Sequence, residues 1–112
     1  MINKVKRIKN RKSIIKYLIN NPNCQICKGN GIDNIAVEVH HILHGTIKTD
    51  ENWNYLSVCR KCHDLCHKSN FSQFQLFKIK GLTLNTLGKR MLEFLIFHKP
   101  SILNEFKEDF KK

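Results

Sequence analysis

The chain has 112 residues and a formal net charge of +11, from 20 Lys and Arg against 9 Asp and Glu. A chain of this length suits one small domain with a limited core, of the kind that recruits a metal to complete it. The charge points to an anionic partner, nucleic acid first, while no apolar run approaches the roughly 20 residues of a bilayer span and no signal-peptide core follows Met1-Ile2-Asn3-Lys4-Val5-Lys6-Arg7.

Taken in chain order, residues 1–12 are expected to form a basic arm. Lys4, Lys6, Arg7, Lys9, Arg11 and Lys12 stand there without an acidic residue between them. A solvated arm and an arm that tracks DNA phosphates both fit, and such arms order on binding. Ser13 to Ile19 has helical periodicity, with Ser13 as N-cap and Ile14, Ile15, Leu18 and Ile19 on one face. Asn20-Asn21-Pro22-Asn23 ends that helix. Cys24 to Cys27 forms a knuckle, and Lys28-Gly29-Asn30-Gly31 a turn. Ile35, Val37 and Val39 alternate with Ala36 and Glu38, which predicts a strand running into His40-His41. His44 to Asn52 is polar and reads as a loop, Tyr55 to Cys59 as the returning strand, and Arg60 to about Ser69 as a helix. On that helix Cys62 and Cys66 share one face, and His63 and His67 share another.

The remainder is expected to be helical. Phe71, Phe74, Leu76 and Phe77 form one apolar group, broken by Gly81. Leu84, Leu87, Met91, Leu92, Leu95 and Ile96 form a second, ended by Pro100, and a tail helix begins at Ser101. A helical cap burying the phenylalanines is the favoured reading of this region. A helix-turn-helix is the alternative.

Cys24/Cys27 and Cys59/Cys62 are two Cys-x-x-Cys pairs separated by 31 residues. Two intervening residues let both thiolates of a pair reach one metal, and two pairs complete a tetrahedral Zn²⁺ shell. In a reducing compartment an odd count of five cysteines argues against a disulfide framework. A redox dithiol is the competing reading, and no second motif supports it. A full thiolate shell leaves no open position for substrate, so this zinc is expected to be structural. Cys66 reads as a small buried hydrophobe, with a swapped zinc ligand as the alternative.

Between and after these pairs stand His40-His41, then Asn54 five residues before the second pair, then His63 directly after it and His67 one turn later. That order resembles the HNH endonucleases, and the resemblance covers roughly residues 24 to 67. It implies a small α+β fold, a ββα-metal (His-Me finger) core of residues 13–70 stapled by a structural zinc, with N- and C-terminal helices and a C-terminal helical extension over 71–112. It also implies metal-dependent hydrolysis of DNA phosphodiesters to 5′-phosphate and 3′-hydroxyl products. Carried over by position, His40 binds the catalytic metal, His41 is the general base, Asn54 orients the base's loop, and His63 and His67 are further metal ligands.

The chemistry suits those residue types. A neutral imidazole can take a proton from water near neutral pH, and a divalent cation can bridge the phosphate and the leaving oxygen. His40 stands where many zinc-knuckle relatives carry Asp. Imidazoles accept Mn²⁺, Ni²⁺ or Zn²⁺ as well as Mg²⁺, so the catalytic metal stays open. Strand alternation would send His40 and His41 to opposite faces, so the backbone is expected to distort at the strand end, held by the Asn54 amide. Glu38 would face the same way as His40, either beside the metal or merely solvated. His44 reads equally as a phosphate contact or a solvated residue, and His98 as structural.

Affinity for DNA is expected from phosphate neutralisation by the arm residues and by Arg60, Lys61 and Lys68. The family docks its hairpin and helix against the minor groove, which implies weak sequence specificity. The expected setting is cytoplasmic, in a bacterial or phage-infected host cell, with a phage-type nuclease fitting the size. The competing functions are a zinc-knuckle nucleic-acid-binding module without catalysis and a zinc domain for protein interaction.

Overall fold

A computed structural model describes residues 2–112, with the backbone alone for residues 2–10. The side chains of Lys4, Lys6, Arg7 and Lys9, expected to contact DNA, lie outside the described residues. The chain divides into two units, Met1–Asn70 and Phe71–Lys112.

The first unit opens with helix α1, Ile2–Asn20. It runs through the segment expected to be an arm, so Ser13 is an interior residue rather than an N-cap. Lys and Arg are good helix formers, and no Gly or Pro interrupts the chain before Pro22. The buried stripe is also displaced from the expected one. Tyr17 is buried, with Ser13, Ile14 and Leu18 half-buried around it, while Ile15 and Ile19 are exposed. The helix packs by Tyr17, whose ring meets Tyr55 edge-on at 5.5 Å.

Helix α2, Gln25–Gly29, is a single turn capped by the Cys24 sulfur, which accepts from the Cys27 N–H at 3.5 Å. Gln25 ties three elements together. Its Oε1 accepts from the Tyr17 hydroxyl at 2.9 Å and from the Ser57 N–H at 2.8 Å. The strand predicted from Ile35 is shorter: β1 is Glu38–His41, and Ile35 makes only an isolated bridge to Asn23. β1 pairs antiparallel with β2, Tyr55–Val58, in the register Glu38↔Val58, Val39↔Ser57, His40↔Leu56, His41↔Tyr55. All four residues of β2 are buried, because α1, α2 and the following helix all pack on it. That helix, α3, is Arg60–His67. It stops where Ser69 takes a left-handed φ of 59° and the Asn70 N–H reaches back to the Leu65 carbonyl.

The second unit is helical. α4, Gln73–Ile79, starts with a capping box between Ser72 and Gln75. Gly81, at φ 96°, allows the turn that follows it. A 3₁₀ turn at Leu84–Thr86 precedes α5, Lys89–His98, and α6 spans Pro100–Lys111. α6 therefore begins at Pro100 rather than Ser101, since proline's fixed φ and missing N–H suit the first helical position. Leu76, Phe77, Met91, Leu95, Ile102, Leu103 and Phe106 are buried. Phe74 and Phe77 both meet Phe106, at 4.9 and 6.3 Å between ring centroids. Ile96, expected in the apolar group, is 51% exposed. No helix among the described residues is long and apolar enough to cross a membrane.

Candidate active site

Four sulfurs converge from α2 and the start of α3. The Sγ atoms of Cys24, Cys27, Cys59 and Cys62 all lie within 4.8 Å of one another. Cys27 is 3.9 Å from Cys59 and 3.7 Å from Cys62. Zn–S bonds of about 2.3 Å in a tetrahedron place sulfurs about 3.8 Å apart, so the cluster fits a structural zinc. Burial opposes ionisation of Cys24, but hydrogen bonds from the Cys27 and Cys59 backbone and from neighbouring thiols outweigh it and hold this thiol at about 7. Burial and the neighbouring sulfurs push Cys62 upward. One thiol that ionises readily beside others that resist is what a shared cation would resolve, since it favours every thiolate at once. Cys66 is buried outside this cluster, with its thiol pushed up to about 11 by burial and then by Cys24. The zinc-ligand alternative for Cys66 is not what the fold brings together.

The second cluster is made of imidazoles. His40 from β1 and His63 and His67 from α3 offer ring nitrogens that all lie within 4.8 Å of one another. The Nε2 atoms of His63 and His67 are 3.1 Å apart, and the His40 ring centroid is 5.3 and 5.5 Å from theirs. Two nitrogens bound to one cation at about 2.0–2.1 Å sit about 3 Å apart, so this pair also fits a metal. His40 is buried, and burial followed by the nearby His63 and His67 lowers it to about 4. It is therefore a neutral imidazole across the physiological range, the form that ligates. Glu38 shares the face of His40. Its Oε2 lies 3.4 Å from His63 Nδ1, with Arg60 a further 3.9 Å contact. A carboxylate at Nδ1 favours the tautomer with Nε2 free for a cation.

His40 and His41 both line one open cleft of about 370 Å³, together with Val39, His44, Lys48, His63 and His67. The expected backbone distortion is absent from the pairing: the ladder stays in register through His41↔Tyr55. The cleft lies at the end of the strand, where rings on either face can reach it. His41 is turned toward Tyr55, at 5.2 Å and perpendicular to it, and its Nε2 hydrogen-bonds Asp50 Oδ1 at 2.8 Å.

The Asn54 amide bonds to loop backbone rather than to His41. Fully buried, it clamps the loop between the strands: Oδ1 accepts from the Leu43 N–H at 2.7 Å, and Nδ2 donates to the carbonyls of Leu43 and Thr49, each at 2.9 Å. Arg11, Lys12, Arg60, Lys61 and Lys68 are exposed, as phosphate contacts would need to be, but none lines the cleft. His98 packs on Phe94 within α5. Sequence reasoning missed Lys48 and Asp50. Both sit in a loop without periodicity, and only the folding of that loop brings them to the histidines. Compared with family models, curated proteins and solved structures, the chain matches none.

Proposed function

We propose that this chain is a metal-dependent DNA endonuclease of the HNH type, built on a ββα-metal core. One observation carries the reading. Three imidazoles from β1 and α3 converge to metal-binding distances in the same cleft as a fourth, His41, that is hydrogen-bonded to a carboxylate. The order strand, strand, helix supports it, as does a net charge of +11 suited to a polyanion.

His40, His63 and His67 would hold a divalent cation, which supplies positive charge against the phosphorane and the leaving oxygen. His41 takes a proton from a water in the cleft. The water oxygen forms a bond to phosphorus. The bond from phosphorus to the 3′-oxygen breaks, its electron pair stays on that oxygen, and solvent returns a proton. The products are 5′-phosphate and 3′-hydroxyl ends. Asn54 keeps the loop beside His41 in place. The exposed cations Arg11, Lys12, Arg60, Lys61 and Lys68 hold the phosphate backbone without reading bases.

The test is supercoiled plasmid cleavage by the zinc-loaded protein, with Mg²⁺, Mn²⁺ or Ni²⁺ added in turn. We expect metal-dependent cutting that falls by about 10²–10⁴-fold in His41→Ala, the usual worth of a general base. Full activity in His41→Ala would sink the assignment of the base. Salt-sensitive DNA binding by a folded wild type that cuts with no metal would establish a binding module instead.

A further inference from the structure

Asp50 lies in the loop between β1 and β2 and belongs to neither of the two clusters that could hold a metal. Its Oδ1 sits 2.8 Å from His41 Nε2 and accepts from the Tyr55 hydroxyl at 3.2 Å. The Tyr55 oxygen is also 3.1 Å from the Ser13 hydroxyl of α1. A phenol has one proton and a carboxylate only accepts, so the tyrosine proton goes to Asp50 and the serine donates to the tyrosine. Tyr55 is fully buried, and burial, with the adjacent Asp50 carboxylate, holds its phenol above the ordinary range. It therefore stays a donor. The carbonyl of Thr49, one residue before Asp50, is held by Asn54. Asp50 is thus fixed from both sides, by its own backbone and by a chain that starts on another helix.

Resting on the nuclease reading above, we propose that Asp50 is the positioning residue of the His41 base. An ionised carboxylate facing Nε2 requires the proton on Nε2 and leaves the lone pair on Nδ1. A neutral imidazole can take a proton only at its lone pair, so the tautomer decides which nitrogen is the base. After transfer both nitrogens carry protons, and Asp50 stabilises the imidazolium without accepting a proton itself. Asn54 acts one step further back, by holding the loop that carries Asp50. The asparagine and the base are thereby connected through a carboxylate.

The experiment pairs a spectroscopic readout with kinetics. Long-range ¹⁵N–¹H correlation spectra of the zinc-loaded full chain with Mg²⁺, at mildly alkaline pH, report the tautomer of each histidine. Loss of one signal in His41→Ala identifies His41. We expect one tautomer in the wild type, protonated at Nε2, and a mixture in Asp50→Asn. In the same variant we expect kcat for plasmid cleavage to fall about 10–100-fold with KM within about twofold, and Asp50→Glu to recover part of it. An Nδ1-protonated His41 in the wild type overturns the proposal. So does a folded Asp50→Asn protein with unchanged tautomer and kcat. If Asp50→Asn does not fold, the wild-type tautomer and Asp50→Glu decide the same point. A wild type that cuts no DNA, yet shows a locked tautomer released in Asp50→Asn, overturns the nuclease reading and upholds Asp50 as the residue that positions His41.

Discussion

Asn54 is a polar residue with no exposed surface, and its amide spends every bond on backbone. Truncation to alanine would remove the side-chain partner of the buried Leu43 N–H and carbonyl and of the part-buried Thr49 carbonyl. Each such loss costs about 1–3 kcal/mol, so Asn54→Ala is expected to destabilise the first unit by about 3 kcal/mol or more. The chain's single tryptophan, Trp53, is the neighbouring residue, and its emission during urea unfolding checks this. The position of Asn54 could be read from its distance to the second cysteine pair. Its partners could not, because Leu43 and Thr49 meet it only when the loop folds back. The same holds for Asp50. A lone aspartate in a polar stretch has no local signature, and its role depends on Tyr55 and on Ser13, far away in sequence.

Among the elements, the helices were easier to anticipate than their ends. α3 follows from the i, i+4 spacing of two cysteines and two histidines, which gives it one buried and one open face. α1 differs because its register on the sheet is chosen by Tyr17 meeting Tyr55 rather than by the isoleucines. Isoleucine periodicity alone points to a face that solvent covers in part. At the end of α4, burial pulls the Lys80 ammonium down to about 7. The unfolded chain keeps that proton to about 10.4, so above pH 7 the unfolded state binds more protons than the native one and stability rises with pH. Lys80→Met is expected to flatten this rise by about 2 kcal/mol between about pH 7 and 9. Urea midpoints of the two proteins at both pH values provide the check, with equal slopes counting against it.

For the molecule as a whole, a zinc held by the four cysteines would add to the stability of a small core. The first unit buries Tyr17, Ile26, Ile42, Leu43, Tyr55, Leu56 and Val58, and its two knuckles meet at the four sulfurs. Structural zinc contributes folding free energy directly, on the order of 10 kcal/mol in small domains. Removing it with a strong chelator is expected to unfold the first unit, seen as a red shift of Trp53 emission that zinc reverses. Cys24→Ser should bind no zinc and show the shifted emission from the outset. A native spectrum in the metal-free protein would mean that hydrophobic burial alone suffices.

By itself the sequence determined what depends on spacing along the chain: the two cysteine pairs, the helical histidines and the strand that ends in His40-His41. These are local, because a turn of helix or a knuckle constrains its own residues. Only the tertiary structure decided what depends on closure between distant segments. It brought His40 onto the face of α3, turned Glu38 to His63, and folded the loop so that Asp50 meets His41. Those contacts arise from packing β2 between helices and from satisfying buried backbone groups, and neither condition is written in any one stretch of the chain.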